Sequence, residues 1–172
     1  MRTAITAGQE PQQVVEAAIR QAKRAIKRAT DRIVILESLR PYMRGMNHAD
    51  LNGDQYARAL WDWSRSFAFV REPAGDAYAG EIVQSPILTI RLRAGDCDCM
   101  AALIAAAAGM VGMPVMIGYV GQGEGFAHIL AAIRPGYYHH GEWLVIDPQS
   151  KGGPKPAAAF PGAVWTLAHE GS

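Results

Sequence analysis

Cysteine is scarce in this chain, and its charges are nearly balanced. Two cysteines among 172 residues exclude a fold held by a framework of disulfides, and Cys97 and Cys99 are too close in sequence for an unstrained bond to each other. Seventeen basic against sixteen acidic residues give a net charge of +1, so no overall field selects a nucleic acid or an acidic membrane as partner. We therefore expect reduced thiols, an intracellular origin and only local electrostatic contacts.

The sequence also lacks the apolar segment of a secretory signal, because residues 1–13 contain no hydrophobic run. Residues 100–122 are uncharged and long enough to cross a bilayer. Alanine and glycine dominate this stretch, however, and Pro114 interrupts it. A buried helix, a turn and a buried strand explain the stretch better, so we expect no membrane association.

The N-terminal part of the chain has helical periodicity. Apolar residues recur at three- and four-residue intervals from Pro11 to about Leu39, and Pro41 marks the end. The opposite face carries five basic residues: Arg20, Lys23, Arg24, Lys27 and Arg28. This face is either solvated or a docking surface for an acidic partner. We therefore divide the chain into an N-terminal helical arm, residues 1–40, and a domain, residues 41–172.

Further elements follow along the domain. A second helix is predicted over residues 55–70, with apolar residues on one side: Tyr56, Leu60, Trp63 and Phe67. An irregular connector that contains Pro73 and Pro86 follows it. An alanine-rich helix should begin at Cys97 and end at Gly112 and Pro114. Three strands are then predicted, over residues 114–121, 126–133 and 142–149, and residues 163–167 could form a last one. The fold class is therefore α+β.

The order of these elements places a thiol, an imidazole and a carboxylate at chemically useful positions. Cys97 lies where the central helix begins, and a helix N-terminus favours the thiolate that makes cysteine a nucleophile. Asp98 is a plausible capping residue, and the N–H groups of the first turn could also hold an oxyanion. His128 lies within the second strand and Asp147 ends the third, so a nucleophile, a base and an orienting acid occur in order.

Three segments together carry a resemblance to a known family: "GDCDCMAALIAAAAGMVGMPV", "FAHIL" and "GEWLVIDPQ". They resemble the transglutaminase-like superfamily of papain-fold cysteine enzymes over residues 87–149. The resemblance implies Cys97 as nucleophile, His128 as base and Asp147 as orienting acid. It also implies an amide or peptide hydrolase, or an acyl transferase, that works through a thioester with no cofactor and takes a peptide or protein as substrate.

The stretch "SPILTIRLRAGDCDC" is similar to short members of this superfamily that are common in bacteriophages and prophages. This similarity implies a phage-encoded protein found in the host cytoplasm or in the virion. An alternative function follows from it: a structural or adaptor component of the phage tail or head, with the triad secondary or inactive. The basic helix would then contact other phage structural proteins, whereas nucleic acid is not expected as a partner.

Cys99 stands where those similar proteins usually carry a second aspartate. It is either a small buried residue or half of a Cys-x-Cys metal site, and its spacing does not match structural zinc pairs. We therefore predict no bound metal, although a Cys/His metal-binding module stays a third alternative. Asp96 should bond the helix N-terminus, Trp143 should pack beside the triad, and Gln84 is a polar residue upstream. His139 and His140 are predicted in the tip of a hairpin loop.

Overall fold

The computed structural model describes residues 11–47, 53–70, 83–121, 127–135 and 142–171, except for the side chain of Ala127. Within these ranges the chain combines helices with an antiparallel sheet. The helices are α1 (Pro11–Lys27), α2 (Ala29–Leu39), α3 (Asp54–Arg65), α4 (Pro86–Leu92) and α5 (Cys97–Met110). The strands are β1 (Ala68–Phe69), β2 (Ala94–Gly95), β3 (Val115–Gly121), β4 (Ala127–Ile133), β5 (Leu144–Ile146), β6 (Lys155–Pro156) and β7 (Val164–His169).

The main sheet has five strands in the order β6-β5-β4-β3-β7, and every neighbouring pair in it is antiparallel. Two further strands, β1 and β2, form a separate parallel pair just before α5. Strand β4 is paired with β3 along its whole length, but β5 covers it only from Ala131 to Ile133. The first half of β4, which contains His128, therefore has no β5 residue beside it in the ladder.

Helix α5 is the centre of the fold. All of its residues are buried, because its small side chains allow α1, α4 and the sheet to approach it from several sides. The helix ends before Gly112, whose φ of +79° is a left-handed conformation that suits glycine at a helix C-terminus. The predicted helix, turn and strand are thus confirmed over residues 100–121, and residue 122 lies outside the described residues. The described part of the chain contains no helix long and apolar enough to span a membrane.

Helix α1 packs along α5 with its apolar face. Its buried residues belong to the same hydrophobic core as those of α5: Val14, Val15, Ala18, Ile19, Ala22 and Ala25. The five predicted basic residues are exposed on the other side. The helix expected to reach Leu39 is broken at Arg28, which has an extended backbone and precedes α2. The division of the chain at residue 40 stays a prediction, and α1 itself lies against the domain.

The predicted irregular connector, residues 71–86, is described only from residue 83, and a short helix begins at its last residue. Pro86 is the first residue of α4, and Ser85 caps this helix by accepting a hydrogen bond from the Leu88 N–H. Proline is well tolerated at the first helical position, because its missing N–H would have no partner there. Residues 163–167, predicted as a possible strand, lie within β7 except for Ala163 and form an edge of the sheet.

Candidate active site

The first turn of α5 is fixed by an aspartate on the N-terminal side of Cys97. Asp96 is the N-cap, and its side chain accepts a hydrogen bond from the Cys99 N–H at 3.3 Å. The prediction that Asp98 caps the helix was therefore wrong by two residues, whereas the predicted bond from Asp96 to the helix N-terminus is confirmed. The carboxylate of Asp98 also accepts from the Cys99 N–H, at 2.6 Å. This N–H is occupied and does not offer a site for an oxyanion.

Gly95 allows this turn to lie close to the preceding strand. A Cβ atom on Gly95 would lie 2.9 Å from the Cβ of Cys99 and 3.3 Å from a methyl group of Thr89. Almost any side chain would therefore push the first turn of α5 away from α4. The absence of a side chain at Gly95 thus allows the first turn of α5, including Cys97, to adopt its observed position.

Cys97 lies at the interface between the first turn of α5 and β4. It is 4% exposed, and its sulfur accepts a hydrogen bond from the main-chain N–H of Ile129 at 3.5 Å. An N–H directed at a sulfur stabilises negative charge on it. The sulfur thus contacts the residue that follows His128 in the strand.

His128 and Asp147 are joined directly. The Nε2 of His128 lies 3.2 Å from the Oδ2 of Asp147, and both residues are buried. When Asp147 is ionised it favours the tautomer with the proton on Nε2, which leaves Nδ1 unprotonated. Because β5 ends at Ile146, Asp147 lies just beyond the ladder, next to the part of β4 that β5 does not cover.

Cys97, His128 and Asp147 all line one small cavity. Its volume is about 10 Å³, room for about one water molecule, and its other walls include Phe69, Met100 and Ile146. The structure thus brings the three predicted site residues to one place. Apolar walls strengthen electrostatic interactions between the polar groups that they surround.

A tight turn holds Asp147 from the other side. The Ser150 N–H donates to the main-chain carbonyl of Asp147 at 3.0 Å, and Pro148 occupies the second position of this turn. The carboxylate oxygen Oδ1 of Asp147 accepts from the Gln149 N–H at 2.9 Å. Each oxygen of this carboxylate therefore has its own donor, and its orientation toward His128 is determined by the turn.

Cys99 occupies a different environment, although it belongs to the same helical turn. It is 1% exposed, and its sulfur accepts a hydrogen bond from the Gln84 N–H at 3.3 Å. Burial raises the pKa of the Cys99 thiol, and the charges of Asp98 and Asp96 raise it further. The predicted role as a small buried residue agrees with this burial, and neither cysteine is in a disulfide.

Cys99 also belongs to a group of potential metal ligands. One ligand atom each of Asp96, Asp98 and Cys99 lies within 4.8 Å of the others, and all three residues are buried. Both carboxylates of the group already accept the Cys99 N–H. The prediction that the chain binds no metal is not tested by this geometry.

The other residues singled out from the sequence are Trp143, Gln84, His139 and His140. Trp143 packs with a cluster that includes Leu130 and Val145, separate from the core cluster that contains Cys97, and it does not line the cavity of the three site residues. The side-chain oxygen of Gln84 is buried without a hydrogen-bond partner. His139 and His140 lie outside the described residues. Sequence reasoning missed Trp61, whose indole N–H donates to the main-chain carbonyl of Asp147.

Comparisons with known proteins identify the fold. No protein-family model matches the sequence, and no curated protein matches it. Among solved structures, LapG of Legionella pneumophila is similar with a TM-score of 0.55 and 17% identity, covering 86% of this chain and 81% of LapG. A calcium-bound form of LapG gives a TM-score of 0.54 at the same identity and coverage. A Cytophaga hutchinsonii protein proposed to be a cysteine protease has a TM-score of 0.47 and 16% identity, covering 96% of this chain and 54% of that chain.

The likeness to LapG shows the fold alone, because the sequence identity is low. The chain has an α+β fold of the papain-like, transglutaminase-like type, with a central helix that begins at Cys97 and packs on an antiparallel sheet. The predicted fold class is confirmed. What Cys97, His128 and Asp147 do chemically is a separate question.

Proposed function

We propose that this protein is a cysteine-dependent hydrolase of amide or peptide bonds, with Cys97 as nucleophile, His128 as general base and acid, and Asp147 as the orienting acid. The observation that carries the proposal is the shared cavity, in which a thiol at a helix N-terminus meets a hydrogen-bonded His–Asp pair. This combination of an activated nucleophile, a base and an orienting group is the arrangement that acyl transfer requires.

The reaction begins when Nδ1 of His128 takes the proton of the Cys97 thiol, because Nε2 is engaged by Asp147. The thiolate attacks the carbonyl carbon of the substrate, and a C–S bond forms as the C=O π bond opens. The tetrahedral intermediate collapses when the imidazolium protonates the leaving amine, which leaves a thioester. Asp147 stabilises the imidazolium that forms between these two steps.

Water completes the cycle. His128 now takes a proton from a water molecule, the hydroxide attacks the thioester carbon, and the C–S bond breaks to give a carboxylic acid and the thiol. An amine in place of water would make the protein an acyl transferase. Hydrolysis is the outcome that we propose, since the resemblance of the sequence is to proteases and amidases more than to crosslinking enzymes.

Calcium has no part in this proposal, although LapG has a calcium-bound form. Among the described residues, the one group with metal-ligand spacing combines two carboxylates with a thiol. Calcium takes six to eight oxygen ligands, and thiols suit softer metals. Because both carboxylates also hold the Cys99 N–H, this set of donors does not fit calcium.

The second candidate function is an adaptor in a phage tail or head, with a peptide-cutting activity secondary or lost. It is favoured by exposed basic residues on α1 and directly after it, which the proposed reaction does not use: Arg20, Lys23, Arg24, Lys27 and Arg28. A phage origin and a place in the host cytoplasm or the virion rest on the resemblance of residues 85–99 to short phage proteins. The partner in this case is an acidic surface of another structural protein.

Peptide profiling tests the hydrolase directly. The protein is incubated with a library of peptides from a digested proteome, and new peptide termini are identified by mass spectrometry. We expect cleavage by the wild-type chain and by Cys99→Ser, and a loss of about 10³-fold or more for Cys97→Ser. Serine is close in size to cysteine, so both variants should fold.

The matched pair of variants makes the result decisive. Cleavage that survives in Cys97→Ser, or that depends equally on both cysteines, would contradict the proposed nucleophile. A wild-type chain that cleaves no peptide in the library and leaves a denatured protein substrate intact would contradict the hydrolase and leave the adaptor role.

A further inference from the structure

The side chain of Trp61 connects helix α3 to the end of strand β5. Its indole N–H donates to the main-chain carbonyl of Asp147 at 3.0 Å and lies 3.2 Å from the Oγ of Ser150. Trp61 is 3% exposed, so these hydrogen bonds are shielded from water. The two contacted residues are the first and last of the turn that carries the Asp147 carboxylate.

The ring of Trp61 is itself held from α3. The guanidinium carbons of Arg58 and Arg65 lie 4.6 Å and 4.4 Å from its ring centroid, and cations at this distance are attracted to the indole. Arg58 is also 3.5 Å from the carboxylate of Asp62. The indole therefore has few orientations available, and its N–H remains directed at the turn.

The carbonyl of Asp147 accepts from three donors: the indole of Trp61, the Ser150 N–H and, at 2.8 Å, the Ser150 hydroxyl. The side chain of the same residue accepts from the Gln149 N–H and contacts His128. Both the backbone and the carboxylate of Asp147 are thereby fixed. A shift of the backbone at Asp147 would move the carboxylate relative to the imidazole.

We propose that Trp61 is a positioning residue for the proposed reaction, which sets the contact between Asp147 and His128 through the main chain of Asp147. This inference rests on the proposed function. Trp61 does not line the cavity of Cys97, so it does not touch the substrate. It acts on the orientation of the imidazole, and through that on the ease with which Cys97 loses its proton.

The chain contains a closely matched control. Trp63 lies on the same helix, is 1% exposed, and donates its indole N–H to the Oγ of Ser38 at 3.0 Å. Its hydrogen-bond partner belongs to α2 and not to the turn that carries Asp147. Trp61→Phe and Trp63→Phe each remove one buried indole N–H, so their difference isolates the effect on Asp147.

The experiment measures the rate at which iodoacetamide alkylates Cys97 as a function of pH, with the modified cysteine identified by mass spectrometry. Trp61→Phe should lower the rate at pH 6.5 by about tenfold and shift the midpoint of the pH profile toward about 8.5, the value of an unassisted thiol. Trp63→Phe should keep the midpoint of the wild-type profile. An isosteric change, Trp61→benzothienylalanine, removes only the N–H donor and should reproduce the shift.

The outcomes separate this inference from the proposed function. A Trp61→benzothienylalanine protein that is folded by circular dichroism and keeps the wild-type pH profile overturns the positioning role. The same holds if Trp63→Phe shifts the midpoint as much as Trp61→Phe does, because loss of stability would then explain both. If the wild-type profile is already that of an unassisted thiol, the proposed function fails first.

Discussion

The two thiols of this chain lie two residues apart on one helical turn, yet their surroundings are opposite. Both sulfurs accept a main-chain N–H, from Ile129 for Cys97 at 3.5 Å and from Gln84 for Cys99 at 3.3 Å. The hydrogen bond to sulfur therefore does not distinguish them. Cys97 shares a cavity with a His–Asp pair, whereas Cys99 is beside two carboxylates.

Cys97 and Cys99 differ in the sign of the charge that can develop beside the sulfur. An imidazole that becomes a cation stabilises a thiolate, and a carboxylate destabilises one. Burial disfavours the thiolate of Cys99 as well, so both effects act in the same direction there. A helix N-terminus near a thiol is thus insufficient to make it reactive, because both cysteines lie in the first turn of α5.

The largest expected effect comes from removing the carboxylate on the Cys97 side. Asp147→Asn should lower kcat/KM for a cleaved peptide by about 10²- to 10⁴-fold, because an amide neither stabilises the imidazolium nor selects the same tautomer. The matched change on the Cys99 side is Asp96→Asn. Asparagine is as good an N-cap as aspartate, so this variant should stay within about fivefold of the wild type.

Steady-state kinetics on one peptide identified by profiling would measure both values. Equal losses of kcat/KM in Asp147→Asn and Asp96→Asn would mean that the carboxylate beside Cys97 is no more important than the one beside Cys99. A loss confined to Asp96→Asn would place the important carboxylate beside Cys99 and contradict the proposed role of Asp147.

A smaller effect should appear in the pH dependence of stability. Cys99 has a raised pKa in the folded chain and ionises near 9.0 when unfolded, so the unfolded state loses this proton first. The free energy of unfolding is then unaffected below about pH 8 and falls by about 1.4 kcal/mol per pH unit once pH exceeds the unfolded pKa. Burial also raises the pKa of Tyr56, whose reference value is 10.0, so its contribution begins about one pH unit higher.

Urea unfolding of the wild type and of Cys99→Ala between pH 8 and 10.5 measures this contribution. The variant should have a shallower decline, by about 1.4 kcal/mol per pH unit above pH 9, in addition to a cavity penalty that does not depend on pH. Above about pH 9.5, where the proposed Cys97 thiolate is ionised in the folded and the unfolded chain alike, Cys97→Ala should keep the wild-type slope. Identical slopes in all three proteins would mean that the Cys99 thiol ionises equally in the folded and unfolded chains.

The sequence predicted the residues whose position depends on local signals. Cys97 begins a helix, His128 lies in a strand and Asp147 directly follows one, so periodicity, proline and glycine located them along the chain. Family resemblance then implied the same three roles of nucleophile, base and orienting acid. The fold class followed from the same elements, and the likeness to LapG confirms it.

The parts that the sequence did not predict depend on tertiary contacts. Trp61 and Asp147 are separated by 86 positions in the sequence. No local sequence pattern predicts a hydrogen bond between an indole and a main-chain carbonyl that lie so far apart. Trp143 lies just before β5 and not within it, so strand alternation did not predict that it packs with Leu130 and Val145. Pro86 alone does not distinguish a loop from a helix start, which here depends on the cap from Ser85.

The most direct test of the central claim is the rate at which iodoacetamide alkylates each cysteine of the native chain near pH 7. We expect Cys97 to react about 100-fold or more faster than Cys99, because thiolate content and access both favour it. His128→Ala should abolish most of this difference. Equal and slow labelling of the two thiols in the wild-type protein would contradict the account.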